Sequence, residues 1–249
     1  MFCNCPSILR KDEPEFRIER KLHAVPGESG EVDIAAIYQT SLGKNFIYEG
    51  YDTTCLVELD ESPPNALNLE ALKIALHISL LLNCKIVPLS QIMRKTVIDG
   101  SNTSGFQRTV LIAKDGWVET ESGRVGISYV YLEEDAARKI SSSYVSQKSG
   151  KEEDAARKIS NPENVEEGNV IYRLDRLGIP LVEIVTAPDI KTPEQAKEVA
   201  LHIGQILRAC NVRRGIGTIR QDINVSIEGH PRAEIKGFQD PKIFVRVVE

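Results

Sequence analysis

The sequence predicts an α+β fold that consists largely of antiparallel strands, and three observations support this prediction. Most of the chain beyond residue 85 reads as short strands separated by turn dipeptides such as Asp115-Gly116 and Ser122-Gly123. Only two stretches show the helical spacing of apolar residues. No Gly-rich nucleotide fingerprint joins a strand to a helix, which disfavours a doubly wound fold. We expect one domain over residues 1–249.

The first part of the chain, residues 1–50, is polar and weakly patterned. Pro14 and Pro26 mark turns there, so we expect loops and one short helix. The first long helix is predicted at 67–83, directly after the Pro63-Pro64 stop, because its apolar residues recur at helical spacing. Its broad apolar stripe is expected to face the core.

A second long helix is predicted at 193–210. Thr192 is a good N-cap, Pro193 suits the first helical position, and Gln195 completes a Thr-x-x-Gln capping box. Apolar residues on one face of this segment indicate a buried side.

The remaining segments read as strands. The Asp115-Gly116 and Ser122-Gly123 dipeptides predict a meander of three strands at 109–113, 117–120 and 124–132. Further strands are expected at 86–97, 170–174, 181–185, 218–227 and 232–235.

One repeat interrupts this pattern, since EEDAARKIS occurs at 133–141 and again at 152–160. Two copies are too few for a solenoid, which leaves a local duplication or a faulty gene model as the explanation. The Ser-, Lys- and Gly-rich segment between them predicts a mobile insertion at 142–168. We assign function to the first copy because the strand-like GISYVYL precedes it.

The composition excludes several classes of protein. No apolar run is long enough to cross a membrane and the N-terminus lacks the features of a signal peptide, so we expect a cytoplasmic location. The net charge of −5 means that any contact with RNA must be local. Arginines 208, 213, 214 and 220 are the local candidate, although a solvated face is the favoured interpretation. Five scattered cysteines indicate reduced thiols.

Carboxylates in unusual positions are the first candidates for chemistry. Glu183 lies within the apolar segment PLVEIV, and Asp222 alternates with apolar residues along its strand. Glu234 belongs to a neighbouring strand, and Glu133 and Glu134 end another. Acids that converge from several strands suit Mg²⁺, which prefers oxygen ligands. The alternative is that these acids simply face solvent.

The cysteines offer a second candidate site. Cys3-x-Cys5 and Cys55 supply three thiols, but a structural zinc site takes four ligands and no second Cys-x-x-Cys is present. Zinc, and with it a small zinc-binding RNA module, is therefore the less favoured interpretation.

Long motifs carry a resemblance to a known family. The chain resembles the amidotransferase B and E family, and specifically its archaeal E type. The matching stretches are FCNCP at 2–6, YDTTCLVELDESPP at 51–64, MRKTVIDGSNTSGFQRT at 93–109, GRVGISYVYLEEDAARKI at 123–140, YRLDRLGIPLVEIVTAPDI at 172–190, GIGTIRQDINVSI at 215–227 and AEIKGFQD at 233–240.

The resemblance implies a fold, a reaction and partners. The fold would be a cradle related to glutamine synthetase and guanido kinases. ATP would phosphorylate the glutamate of Glu-tRNA(Gln), and ammonia from an asparaginase-like amidase subunit would displace the phosphate, so the enzyme would be a ligase that forms a carbon–nitrogen bond. The chain would be a truncated N-terminal catalytic segment of such a protein, with weak activity alone. A non-catalytic chain that only docks on the amidase partner or tRNA is the alternative.

The resemblance also implies roles for individual residues. The Mg²⁺ and ATP ligands would be Glu133 or Glu134, together with the catalytic residues Glu183, Asp222 and Glu234. Seven further residues would contact ATP or the acceptor end of the tRNA: Arg94, Lys95, Asp99, Gly105, Gln107, Asp175 and Arg176.

Overall fold

The order of elements follows the predicted alternation of many strands with two long helices. The computed structural model describes residues 1–27, 30–142, 168–215, 217–238 and 243–249. The strands are β1 (Phe16–Arg20), β2 (Asn45–Gly50), β3 (Lys85–Ile86), β4 (Ile92–Thr96), β5 (Phe106–Thr120), β6 (Gly123–Glu134), β7 (Arg138–Ser142), β8 (Asn169–Arg173), β9 (Pro180–Thr186), β10 (Gln221–Val225) and β11 (Ala233–Phe238). The helices are α1 (Ile34–Ser41), α2 (Leu69–Leu81), α3 (Pro193–Ala209) and α4 (Phe244–Val248), with a 3-10 turn at Leu174–Arg176.

The chain divides into two compact units. The first comprises Met1–Asn68, Ile92–Thr109 and Glu133–Leu181, and the second comprises Leu69–Gln91, Val110–Leu132 and Val182–Glu249. The first unit holds a four-stranded sheet in the order β1-β2-β8-β7, in which β2 and β8 are parallel and the other pairs are antiparallel. A second sheet has the order β3-β5-β6-β9 with β4 paired to β5, and β10 and β11 form an antiparallel pair. The α+β prediction is confirmed, and the likeness to glutamine synthetase and guanido kinases stays a prediction.

Aromatic residues of β2 and β8 form the core of the first unit. Phe46, Tyr48 and Tyr172 are buried, and the rings of Tyr48 and Tyr172 stack 6.1 Å apart. The two tyrosine hydroxyls donate to the backbone oxygens of Gly100 at 2.7 Å and Asp99 at 2.9 Å. The buried tyrosine hydroxyls are thus hydrogen-bonded, and the same bonds fix the loop that carries the predicted site residue Asp99.

The hairpin of β5 and β6 corrects one predicted turn. Ser122-Gly123 lies at the hairpin turn as predicted, whereas β5 continues through Asp115-Gly116. Asp115 has a φ of 52°, so the chain deforms within the strand instead of reversing. Gly116 is required there because a Cβ would lie 2.2 Å from the Cys84 sulfur. The predicted meander is therefore a single long hairpin.

Both predicted long helices are confirmed, as α2 and α3. The Thr192 hydroxyl caps α3 by accepting from the Gln195 amide at 3.2 Å, and Pro193 occupies the first helical position. The side chain of Gln195 accepts from the amide of Lys191 at 2.8 Å, one residue before the usual capping-box partner. No helix among the described residues combines the length and apolar character needed to cross a membrane.

Replacing Thr192 by Ala should lower the free energy of unfolding by about 1 kcal/mol, because the amide of Gln195 loses its acceptor at the helix N-terminus. Urea unfolding followed by circular dichroism measures this change. Thr192→Ser keeps the hydroxyl and should stay within a few tenths of the unsubstituted chain. Equal stability of the Ala and Ser variants would contradict the cap.

Other predicted elements differ from the structure in detail. Residues 1–50 contain β1, α1 and β2, where loops and one short helix were expected. The strand expected at 86–97 is divided into β3 and β4, with Pro88 between them, because proline cannot donate to a strand ladder. The strands expected at 218–227 and 232–235 are confirmed as β10 and β11, which pair antiparallel. The predicted insertion at 142–168 lies, from residue 143 to 167, outside the described residues.

Candidate functional site

Three consecutive acids lie buried where β6 ends, in the first unit. Glu133, Glu134 and Asp135 expose 8%, 6% and 4% of their surfaces, and we call them the acid cluster. A buried carboxylate must be paired, hydrogen-bonded or bound to a cation. The partners of each acid therefore indicate what it can do.

Glu133 and Glu134 have partners of different charge. The Thr109 hydroxyl donates to Glu133 Oε1 at 3.1 Å and the Gln107 amide to Oε2 at 3.5 Å. Arg108 donates to Glu134 Oε2 at 3.2 Å and forms a salt bridge with it. Among the residues that the structure describes, Glu133 has no salt bridge. Its charge is thus held by neutral donors, whereas that of Glu134 is compensated.

The Arg108 side chain that pairs with Glu134 is itself enclosed. Its guanidinium lies 5.1 Å from the ring centroid of Phe106 and 5.8 Å from that of Phe2. Aromatic faces on an arginine stabilise its charge and restrict its rotamers. This pair is consequently a fixed structural element beside Glu133.

Two predicted contact residues have partners inside the first unit. The carboxylate of Asp175 forms a salt bridge with Arg138 at 2.5 Å and accepts from the Arg10 amide at 2.8 Å. Arg176 lies 3.6 Å from Asp135 and donates to the backbone oxygen of Ala136 at 3.0 Å. Both side chains hold the chain that follows the acid cluster, and their predicted role in ligand binding stays a prediction.

The remaining predicted contact residues lie along β4, β5 and the loop between them. Arg94 and Lys95 are exposed on β4. The Asp99 carboxylate accepts from the amide and hydroxyl of Ser101 at 2.9 and 2.6 Å. Gly105 is buried with a φ of 74°, a conformation that favours glycine. Gln107, by contrast, joins the acid cluster directly by donating to the backbone oxygen of Glu134 at 2.7 Å.

The three predicted catalytic acids belong to the second unit and are exposed. Asp222 and Glu234 share one cation, because the Lys236 ammonium lies 3.7 and 3.2 Å from their carboxylates. Within the described residues, no three carboxylates have ligand atoms within 4.8 Å of one another. The convergence of Glu183, Asp222 and Glu234 on a shared cavity stays a prediction, as does their catalytic role.

A cluster of thiols does form in the first unit. The sulfurs of Cys3, Cys5 and Cys55, which we call the cysteine cluster, all lie within 4.8 Å of one another. Glu58 lies beside them, since Cys3 Sγ donates to its Oε1 at 3.4 Å and the Cys55 amide donates to its Oε2 at 3.3 Å. Three sulfurs and one carboxylate are a donor set that suits zinc.

The surroundings of the cysteine cluster are enclosed on one side and open on the other. Burial raises the pKa of the Cys3 thiol to about 11, and burial also raises the pKa of Cys5 and of Glu58. A small cavity of about 70 Å³ is lined by Cys3, Cys5 and Glu58, and a groove of about 550 Å³ opens beside Cys55. The sulfurs are therefore accessible to a small ion.

Sequence reasoning missed the neighbours that define both sites. Glu58 follows Cys55 by three residues, and a helix-like turn closed by the Leu59 amide and the Cys55 oxygen at 3.1 Å brings them together. A search of the spacing for acids as well as cysteines would have found Glu58. Arg108 and Thr109 belong to a segment that reads only as a strand, and nothing in its sequence indicates that they contact Glu133 or Glu134.

Comparison with known proteins identifies the family. The pattern of the GatB/GatE catalytic domain matches residues 1–249. The chain is 55% identical over 252 residues to a protein of Methanocaldococcus jannaschii, and 49% identical over 242 residues to one of Methanosarcina acetivorans. It is 50% identical over 240 residues to one of Sulfurisphaera tokodaii.

All three relatives are named as the E-type subunit of glutamyl-tRNA(Gln) amidotransferase. The alignments cover 100%, 96% and 96% of this chain but 36%, 34% and 34% of the relatives. The chain thus spans about a third of the length of the curated relatives that it matches, and corresponds to an N-terminal segment of them. The chain belongs to the GatB/GatE catalytic domain family.

Proposed function

We propose that the chain carries the ATP-dependent step of a Glu-tRNA(Gln) amidotransferase. A carboxylate oxygen of the glutamate attacks the γ-phosphorus of ATP, and ADP leaves. Ammonia then attacks the acyl carbon of the acyl phosphate, and phosphate leaves with one proton of the ammonia. The proposed source of ammonia is an asparaginase-like amidase subunit. The family match over the whole chain and the names of its relatives support this reaction.

The observation that carries the proposal is the buried carboxylate of Glu133. Its hydrogen bonds come from Thr109 and Gln107, which are neutral, so a bound cation would be the partner that balances its charge. When bound, Mg²⁺ neutralises negative charge on the transferring phosphoryl group. Of the two adjacent glutamates, Glu133 is the proposed ligand, because Glu134 already pairs with Arg108.

The chain's own residues supply the positioning. Thr109 and Gln107 orient the two oxygens of Glu133, and the enclosed Arg108 holds the neighbouring residue in place. A ligand held by two donors loses little freedom when the cation binds. The proposed ligand roles of Glu183, Asp222 and Glu234 require variants of their own.

We further propose that the cysteine cluster and Glu58 hold a structural zinc ion. The three sulfurs and the carboxylate of Glu58 would supply the four donors that a structural zinc ion takes. The cluster joins the N-terminal segment to the turn at residue 55, so a bound ion would cross-link two distant parts of the first unit.

Trapping of the acyl phosphate tests the proposed reaction. The chain is mixed with Mg²⁺-ATP, Glu-tRNA(Gln) and hydroxylamine, a nucleophile that replaces both ammonia and the amidase partner. We expect slow formation of ADP and of a glutamyl hydroxamate on the tRNA, both dependent on Mg²⁺.

The result that would overturn the proposal is binding of tRNA with neither ADP nor hydroxamate formed, at any concentration of Mg²⁺-ATP. That outcome would instead support a chain that only docks. A Glu119→Gln variant, which changes an exposed acid paired with Arg124, should behave like the unsubstituted chain.

A further inference from the structure

A group of arginines with no acid near it in the sequence follows α3 in the second unit. From Val199 to Gln221 the chain has no Asp, Glu or Lys but four arginines, although the net charge of the protein is −5. All four are exposed, and we call them the arginine surface: Arg208, Arg213, Arg214 and Arg220. A positively charged segment in an acidic protein creates a local positive electrostatic potential.

Among the described residues of this segment, hydrogen bonds hold the side chains of Arg214 and Thr218 against the backbone. The Arg214 guanidinium donates to the backbone oxygen of Arg208 at 2.7 Å, which folds the chain back onto the end of α3. Thr218 closes the following turn, with its hydroxyl donating to the Gly215 oxygen at 2.8 Å. Buried Cys210 anchors the helix end beneath them. Arg208 and Arg214 are thereby brought together.

Arg208 and Arg214 lack the acidic partner that many arginines of this protein have. Among the described residues no salt bridge joins either of them to an acid. Arg94, Arg232 and Arg246 also have no salt bridge among the described residues. Eight other arginines do have acidic partners: Arg10, Arg17, Arg20, Arg108, Arg124, Arg138, Arg173 and Arg176. A cation in the last turn of α3 would complement the helix dipole, but that accounts for Arg208 alone. The others lie beyond the helix.

We infer that the arginine surface binds the phosphate backbone of RNA, namely that of the tRNA in the proposed function, on which this inference rests. Guanidinium groups form bidentate hydrogen bonds with phosphate and remain charged at all relevant pH values. The Arg214 guanidinium has five N–H donors, so the bond to Arg208 leaves several for a ligand. The contact is sequence-independent, because phosphates carry no base information.

The salt dependence of tRNA binding tests this inference. Fluorescence anisotropy with a labelled, unacylated tRNA transcript is measured over a series of KCl concentrations, for the 249-residue chain and for R213Q/R214Q. The slope of log affinity against log salt should fall by about 1 to 2 in the double variant, since each lost phosphate contact removes just under one counterion.

The matched control is R124Q, which removes one exposed arginine of the same unit that is paired with Glu119. Its slope should equal that of the unsubstituted chain, and circular dichroism should show all chains folded. Mg²⁺-ATP affinity should be unchanged in R213Q/R214Q, which separates RNA phosphate from nucleotide phosphate.

Three outcomes would overturn the inference: no tRNA binding by the unsubstituted chain at low salt, an unchanged slope in R213Q/R214Q, or an equal loss in R124Q. If the slope falls in R213Q/R214Q as expected but the unsubstituted chain forms no hydroxamate, the proposed function is overturned and the inference about the arginine surface is supported. If the unsubstituted chain forms hydroxamate but the slope is unchanged in R213Q/R214Q, the proposed function is supported and the inference about the arginine surface is overturned.

Discussion

Replacing Glu133 by Gln is expected to weaken the binding of Mg²⁺-ATP by roughly 10- to 100-fold, the usual loss when a metal site loses part of its ligand shell. Gln is nearly isosteric and its carbonyl oxygen can still accept from the Thr109 hydroxyl. The substitution therefore removes charge and leaves the packing intact. Isothermal titration with ATP, in the presence and absence of Mg²⁺, measures the change.

The informative comparison is Glu134→Gln, which changes the adjacent residue. This variant leaves the enclosed Arg108 without its counterion, and breaking a buried pair in this way destabilises a protein by about 3 kcal/mol or more. Its unfolding midpoint should fall, while the affinity for Mg²⁺-ATP below that midpoint should change much less than in Glu133→Gln. The opposite ranking of the two variants would assign the metal to Glu134.

The parts of the fold that depend on neighbouring residues could be predicted from the sequence. The cap at Thr192 and the apolar periodicity of α2 are local, and both helices were placed within two residues of their observed ends. The hairpin turn at Ser122-Gly123 is local in the same sense. Elements that are specified by residues adjacent in the sequence were therefore predicted correctly.

The features that were missed depend on distant residues. Asp115-Gly116 resembles a turn, but the glycine is needed because Cys84, between α2 and β3, packs against it. The strands β1 and β2 look polar because Arg17 and Glu49 alternate with their apolar residues. Those charges are satisfied only in the sheet, where Glu49 bonds Arg17 and Arg173, each at 2.8 Å. No single segment carries that information.

The candidate sites show the same division. The sequence identified the glutamates at the end of β6 but could not rank them, because the ranking depends on Arg108 and Thr109, which lie on another strand. For the cysteine cluster, a search for cysteines alone found no fourth donor, whereas the folded turn at residue 55 places Glu58 beside Cys3. Spacing identifies the residue types, and tertiary contacts decide which partners those residues have.

Removal of the proposed zinc ion is expected to destabilise the chain. The chain purified with zinc should retain one ion, and a chelator should lower its unfolding midpoint. An ion present at 100 times its dissociation constant stabilises the folded state by about 2.7 kcal/mol. For a chain of this size that is a shift of roughly 5 to 10 °C. Atomic emission gives the metal content, and scanning calorimetry gives the midpoint.

Variants of the cysteine cluster should reproduce the effect of the chelator. Cys55→Ser removes one sulfur donor and should abolish retention of the ion, and Glu58→Gln should weaken it by roughly 10-fold or more. The control is Cys210→Ser, which changes a buried thiol of the second unit. The thiol donates a hydrogen bond to the Ile206 oxygen, and the serine hydroxyl can donate the same bond. Cys210→Ser should keep one ion per chain. A metal-free unsubstituted chain, or equal loss of metal in the control, would show that the cysteine cluster is not a zinc site.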